Sequence, residues 1–583
     1  MAKKDRVSKP PSETVRDIKK EKSSLLPETA SNERLFEFRN IFEFLIVIFA
    51  VCYSFFCFDE YLLDTVTFGG SFVPLYALFI AEVGIAAWFF RKKFCISRDL
   101  PTTVLCIAVF AMIFLYMVAV SPSFLPISKS ADYPHHYLLI EYITSHESLP
   151  PINYDQIGEM AQYPFGASLA TASFSNFFGL SILNGLALLS AIILGFILVC
   201  SYLVTLEILK KSKADLPWGN LLALAAPLMV LSLPLYFIEQ VNQDFYYSMV
   251  WGELLILVCL LLLLKAESGS LAWLYPFLAV CVGIVYTYTL YIVIPFAAVL
   301  AWLILNREKT LPNITKTHIA AGLAVVGLFL VFALQRFTVG RGILGHEGDT
   351  IALSVFNFNF LFLALIILGA GLGLYYGWIS WKGPYFLMLV LVFLEVFAFL
   401  VLNNFGMVAR YFANKNFYLL ILLLSPLTAI PFTYIVSTGK NEISKRNRVI
   451  CGLVLIFVVS VFCLMLYSLA QDNEPAVNNN DISFSENVRT YISENNIAYE
   501  NLTISNVPWR AYWSALLLHV SKDYADKHYL GYVSLDDWLS NPESPYLVAQ
   551  VQDCSLPGYL EINGTRVQKV ICQDSNIFLK KAM

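Results

Sequence analysis

An aspartate and two histidines crowd into the first half of residues 131–143, ADYPHHYLLIEYI, in a chain that carries little charge elsewhere. Carboxylates accept protons from hydroxyls, and an imidazole orients or shares such a proton. Asp132, with His136 about one helical turn on, is therefore a candidate acid–base pair. As local structure alone, the stretch reads as a helix start: Asp132 as the cap, Pro134 in the first turn, and apolar residues through Ile143 resting on a membrane surface. That reading accounts for the acid. It leaves His136, on the face continued by Ile140, without a role. His135, and Tyr163 in the downstream run QYPFG at 162–166, are candidate substrate contacts.

Other stretches carry groups of the same kind. LPLYFIEQVNQDFYYSMVWGELL (233–255) holds Asp244, a second candidate for the reacting centre, with Glu239 as the alternative. An ordinary solvated loop carboxylate is the competing reading of either. NNFGMVARYFANKNFYLL (403–420) holds Arg410, Tyr411 and Lys415. Guanidinium groups bind phosphate oxygens bidentately and an ammonium adds a point charge, so these suit an anionic ligand; snorkelling to lipid headgroups explains them without one. Arg410 and Asn414 share a helix face from which Lys415 points well away, which makes Lys415 the weaker candidate. QRFTVGRGILGHEGDT (335–350), with Arg341 among four glycines, reads either as a lid over a ligand or as disorder. VYTYTLYIV, with Tyr286, Tyr288 and Tyr291, reads as an interfacial aromatic belt.

Membrane helices must position these residues. Hydrophobic residues make up 58% of the 583, charged ones only 14%, and the mean hydropathy is +0.64, which excludes an ordinary soluble chain. A span takes roughly 20 apolar residues. About thirteen segments qualify: 41–58, 71–90, 101–120, 181–208, 218–237, 245–264, 271–288, 290–306, 317–335, 353–377, 385–402, 416–436 and 449–469. Lys and Arg concentrate in the N-terminal tail and in alternate loops, at 91–93, 210–211, 265, 307–309, 382 and 440–448, which places those loops and the N-terminus in the cytoplasm. An odd number of crossings then puts the end of the chain outside. The first segment does not read as a cleaved signal, because its basic region is too long and no small-residue cleavage site follows. On this topology Arg410 and Lys415 lie outside, against the positive-inside tendency, and require a reason.

The expected organisation is an all-α polytopic plasma-membrane protein with a small C-terminal extracytoplasmic α/β domain. Residues 1–40 form a disordered basic cytoplasmic tail and 41–470 the transmembrane domain, with an outer loop at 121–162 and an interfacial helix at 162–179. Residues 471–583 form the outer domain. There NLTIS and YLVAQVQ read as strands, PWRAYWSALLLHV as a helix begun by Pro508, and YLEINGTRVQKVICQ as a hairpin turning at Asn563-Gly564. Cys554 and Cys572, the two cysteines away from apolar segments, could pair in an exported domain.

The order of these features resembles the C-class (GT-C) membrane glycosyltransferases, which take a sugar from a polyprenyl-phosphate carrier and attach it on the outer face of the membrane. Lipid A aminoarabinose transferases and protein O-mannosyltransferases belong to that class. Their first large outer loop opens with an acidic residue on a short interfacial helix, followed by a Tyr-Pro or Lys-Pro stretch. Asp132-Tyr-Pro-His-His136 and Gln162-Tyr163-Pro164-Phe165-Gly166 match that order here. A second acid in the next outer loop corresponds to Asp244, and a late basic residue near the carrier phosphate to Arg410. The resemblance covers roughly residues 100 to 470 by topology.

It implies an inverting transfer from a polyprenyl-phosphate-linked sugar donor to a glycan, lipid or protein acceptor, among membrane lipids and without nucleic acid. Asp132 would be the base, Arg410 would hold the phosphate, and Asp244 and His136 would orient the substrates. Oligosaccharide-transferring relatives hold a divalent metal with a carboxylate pair in the first loop. Asp132-Tyr-Pro lacks the second carboxylate, so no cofactor is assigned, although Asp132, His136 and Asp244 could form a divalent metal site. A flippase for the same lipids would want the same outer cations, but also midplane ionisable residues and an internal repeat. A non-catalytic assembly subunit is the third reading.

Overall fold

The computed structural model describes residues 36–67, 72–90, 93–120, 132–152, 154, 156–210, 216–231, 246–345, 360–408, 410–437, 449, 452, 477, 479–505, 508–520, 534–541, 544–551, 554–573 and 575–582. Lipid offers no partner to a backbone amide, so the apolar runs satisfy themselves as helices. Three come first, α1 (Ile41–Thr67), α2 (Phe72–Phe90) and α3 (Leu100–Val120), followed by two short ones, α4 (Asp132–His146) and α5 (Gly166–Phe178). The bundle continues through α6 (Ile182–Leu209), α7 (Leu216–Leu222), α8 (Ala225–Leu231), α9 (Tyr247–Ser268), α10 (Leu274–Thr287), α11 (Val293–Leu305) and α12 (Arg307–Thr310). It ends with α13 (Lys316–Gly345), α14 (Phe360–Tyr375), α15 (Pro384–Asn404), α16 (Arg410–Leu424) and α17 (Ala429–Ser437).

The chain is a multi-pass membrane protein. Among the described residues six stretches are long and apolar enough to cross, in α1, α6, α9, α13, α15 and the run Lys415–Val436, or seven if the pair Thr289–Leu305 and Arg307–Asn313, bent by 87°, is one span. Five more apolar helices are shorter, and of the expected segment 449–469 only residues 449 and 452 are described. The described residues thus do not confirm thirteen spans. Within them the chain leaves the α conformation just before Pro227, Pro295 and Pro426, each of which then sits in the first turn of the next helix or 3-10 turn, where a missing amide proton costs least.

α9 is the central pillar, buried along its length against α5, α6, α10, α11, α15 and α16, whereas α13 and α15 leave most of their apolar surface exposed. At the C-terminal end of α9, Lys265 lies 2.9 Å from Glu43 and donates to the Glu37 carbonyl at 2.9 Å, while Glu207 pairs with Lys210 at 2.7 Å and with Arg39 at 3.6 Å. A parallel pair of short strands, β1 (Phe36–Phe38) and β2 (Phe94–Ile96), closes that end. Tyr247, at the other end of α9, is about 27 Å away at 1.5 Å per residue, close to the thickness of a bilayer core.

The C-terminal region is a five-stranded sheet with helices. Its elements are α18 (Asn479–Glu494), β3 (Leu502–Ser505), α19 (Pro508–Leu517), α20 (Leu535–Ser540), β4 (Tyr546–Gln550), β5 (Tyr559–Ile562), β6 (Thr565–Gln573) and β7 (Asn576–Lys581). The strand order is β3-β4-β7-β6-β5, parallel between β3 and β4 and antiparallel elsewhere. The hairpin turns at Asn563 and Gly564 with φ of 51° and 77°, the positive pair that a two-residue turn requires. The sequence pattern does not foretell the central strand β7. Cys554 and Cys572 are disulfide-bonded, with Cα atoms 5.7 Å apart, and α19 packs against α4.

Candidate active site

α4 begins at Asp132 itself, so the carboxylate sits at the helix N-terminus, where the peptide dipoles favour negative charge. One turn on, His136 faces the interior, 3% exposed, with its ring edge-on to Tyr163 at 5.5 Å and to Tyr247 at 5.7 Å between centroids. From the other side comes Lys415, in the second turn of α16. Its Nζ stands 3.6 Å from Asp132 Oδ2 and 4.0 Å from the centre of the Tyr246 ring. The Lys415 side chain is 6% exposed and that of Asp132 30%. A carboxylate, an ammonium and an imidazole therefore meet where α4, α9 and α16 converge, and the carboxylate is the most exposed of the three.

Burial decides the charge of His136. It pushes the imidazole down to about 3, against the upward pull of the Asp132 carboxylate and with Lys415 and His135 adding to the depression. The ring is neutral at physiological pH, with one donor and one acceptor nitrogen. Nδ1 is buried without a hydrogen-bond partner among the described residues. An unpaired buried nitrogen is costly, so the ring is poised to bond a substrate group.

The floor below this group is aromatic and hydroxylic. The Tyr247 hydroxyl bonds to Thr171 of α5, and Tyr53 bonds to Thr287. Gly166, the last residue of QYPFG, opens α5 against that second pair: a Cβ there would lie 2.5 Å from the Tyr53 hydroxyl, 2.9 Å from Thr287 Oγ1 and 3.1 Å from the Tyr286 carbonyl. The glycine permits the approach that carries Tyr163 to His136.

The structure brings together Asp132, His136, Tyr163 and Lys415, and places His135 half-buried on α4 beside them. Lys415, the weaker cation by helix phase, is the one on Asp132. Arg410 and Tyr411 open α16, and Arg341 lies near the end of α13; their side chains, and all of Glu239 and Asp244, lie outside the described residues. Tyr286, Tyr288 and Tyr291 do not form an interfacial belt: all are buried, Tyr286 within α10, Tyr288 at its end and Tyr291 in the 3-10 turn Thr289–Ile292. Tyr288 lies within electrostatic reach of Asp132, Tyr163, Glu253 and Glu395. Sequence reasoning missed Tyr246, Tyr247, Glu253 and Glu395. An acid in the middle of an apolar run was the available signal for the last two. Among the described residues no three His, Cys, Asp or Glu side chains converge as metal ligands; Lys415 brings an ammonium to Asp132.

No protein-family profile and no curated protein matches the sequence. Among solved structures the chain is similar to the arabinofuranosyltransferase AftD from mycobacteria, at a TM-score of 0.49 and 12% identity, over 82% of this chain and 40% of that one. A second structure of that enzyme gives 0.44 and 14%. The oligosaccharyltransferase of Archaeoglobus fulgidus gives 0.45 and 11%, over 76% of this chain and 69% of that one. The chain spans about two fifths of the length of the arabinofuranosyltransferase. By their names, the solved proteins to which this chain is similar are glycosyltransferases.

Proposed function

We propose that this chain is an inverting membrane glycosyltransferase that moves a sugar from a polyprenyl-phosphate carrier to an acceptor hydroxyl at the outer face of the plasma membrane. The observation that carries the reading is the meeting of Asp132, Lys415 and neutral His136 at the end of the bundle opposite the Lys265 charge network. Glycosyl transfer needs a base at the acceptor, positive charge at the departing phosphate, and a site that holds the two in line. Asp132 takes the acceptor proton as the acceptor oxygen bonds to the anomeric carbon. The bond from that carbon to the phosphate oxygen breaks, and its electron pair leaves on the lipid phosphate. Lys415 and Arg410 stabilise that phosphate. His136 and Asp244 orient the reactants, with His135, Tyr163, Tyr411, Arg341 and Glu239 as further substrate contacts. A glycan, lipid or protein hydroxyl serves as acceptor.

The test is to incubate the purified full chain with radiolabelled polyprenyl-phosphate-linked pentose and hexose and to follow the label from lipid into water-soluble or acceptor-bound sugar. Transfer or release that disappears in Asp132→Asn supports the reading. Binding of both lipids with the label never leaving them, or movement of intact lipid between leaflets, overturns it.

A further inference from the structure

We propose that the C-terminal domain is a positioning element of the active site: Trp513, Arg489 and His519 hold helix α4 in the pose that presents Asp132 and His136. The proposal rests on the function proposed above for what α4 presents.

The contact follows the faces of α4. Tyr133, Tyr137 and Glu141 recur every four residues and so form one stripe. The Trp513 ring of α19 lies 5.7 Å from Tyr133 and 5.6 Å from Tyr137, all three buried. At the end of the stripe, Glu141 Oε1 accepts from Arg489 Nη1 of α18 at 3.4 Å, and His519 Nε2 lies beside both, donating to Glu141 at 3.3 Å when it carries a proton and accepting from Arg489 when it does not. Asp132 and His136 form the adjacent stripe, one residue round the helix, and face Lys415, Tyr163 and Tyr247. The helix is thus clasped between domain and bundle, and any roll imposed on one stripe displaces the other.

His519 supplies an independent observation. Bonds from the His519 amide to the Leu516 carbonyl and from the Val520 amide to the Ala515 carbonyl close α19, the pattern in which the residue at position 519 takes a left-handed conformation and is usually glycine. Here it is a histidine at φ 60°, a strained choice for the backbone. What the imidazole gains in return is a bond to Glu141 or to Arg489, according to whether Nε2 carries a proton. A side chain kept where glycine would relieve strain implies a use beyond ending a helix.

Three variants of the full chain in nanodiscs test this, read by hydrogen exchange of residues 136–145, by thermal midpoint, and by turnover of the radiolabelled polyprenyl-phosphate sugar. Arg489→Ala should speed exchange in α4 roughly tenfold and lower kcat comparably, with KM for the donor lipid unchanged because Lys415 stays on α16. Exchanging the charges, Glu141→Arg with Arg489→Glu, should restore both. His519→Gly should hold or raise the thermal midpoint while α4 exchange accelerates, an opposition that a merely structural contact would not produce. Unchanged α4 exchange in Arg489→Ala and His519→Gly overturns the proposal, as does a fall in midpoint that tracks the exchange in His519→Gly. Hydrogen exchange needs no substrate, so full turnover in Asp132→Asn would remove the base assignment while the exchange rates of α4 still decide for or against the clasp.

Discussion

Asp132 combines two jobs, charge at a helix N-terminus and proton acceptor, and one substitution separates them. Asparagine keeps the shape; losing the charge at the dipole costs about 0.3–1 kcal/mol, whereas losing a general base costs roughly 10²- to 10⁴-fold in rate. Asp132→Asn should therefore keep its fold and donor binding and lose transfer, and near-normal turnover would move the base elsewhere. Lys415→Ala should weaken binding of undecaprenyl phosphate by roughly 10- to 100-fold, the worth of a hydrogen bond to a charged group, and Lys415→Arg should recover most of it; equal binding by all three proteins would leave Lys415 only as the partner of Asp132. His136 makes a prediction in pH. Its folded value of about 3 lies below the ordinary histidine value of about 6.5, so the unfolded chain takes up the proton first as pH falls. The neutral fold is at full stability above the unfolded value and loses it progressively down to the folded one. His136→Gln should flatten the fall in thermal midpoint between about pH 6.5 and 4, and an unaltered slope would contradict the burial. Asp132 and His136 were legible because polar groups in an apolar chain need a reason. The Lys415 contact with Asp132 was not legible, because helix phase orders residues relative to one another and says nothing of how α4 approaches them. Arg489 and His519 meet Glu141 across 348 and 378 positions, a pairing that no local pattern encodes.

Elements were legible where backbone chemistry marked them. The αL turn at Asn563-Gly564, the start of α19 at Pro508 and the strands β3 and β4 all stand where turn residues and alternation put them. β7 was missed: NIFLKK is short, and three of its first four positions are apolar, so it lacks the alternation of a half-buried strand. Within the bundle, apolar composition foretold helix but not where a helix stops, and the tyrosines around 288 were misread for that reason. Gly166 tests the element that carries Tyr163. Tyr53 and Thr287 bond to each other and the Tyr286 carbonyl belongs to α10, so none of the three atoms near a new Cβ can yield freely. Gly166→Ala should destabilise by about 1–3 kcal/mol, the usual cost of overpacking, and reduce turnover by shifting α5 away from α4. A thermal midpoint equal to that of the parent would show that the approach of α5 is looser than its geometry indicates.

At the scale of the whole molecule, α9 separates two kinds of charge. Its C-terminal end meets Lys265, Arg39 and Lys210, joined to Glu43 and Glu207, and the loops at that end carry the basic residues that the positive-inside tendency retains in the cytoplasm. Its N-terminal end meets the candidate site and, through α4, the domain that holds the Cys554–Cys572 disulfide. Disulfides persist in oxidising compartments. On both signals we propose that the Lys265 end faces the cytoplasm and the C-terminal domain the outside; six or seven full-length spans lie among the described residues. Parity is what the orientation depends on: reporters fused after residue 30 and after residue 475 should lie on opposite faces of the membrane, cytoplasmic and external, and a thiol reagent that cannot cross the membrane should leave the Cys554–Cys572 pair unlabelled until it is reduced from outside. Reporters on the same face would mean an even number of crossings. The C-terminal domain would then share a compartment with the N-terminal tail, and its clasp on α4 would place the site on the cytoplasmic surface, where a carrier lipid facing outward could not be used.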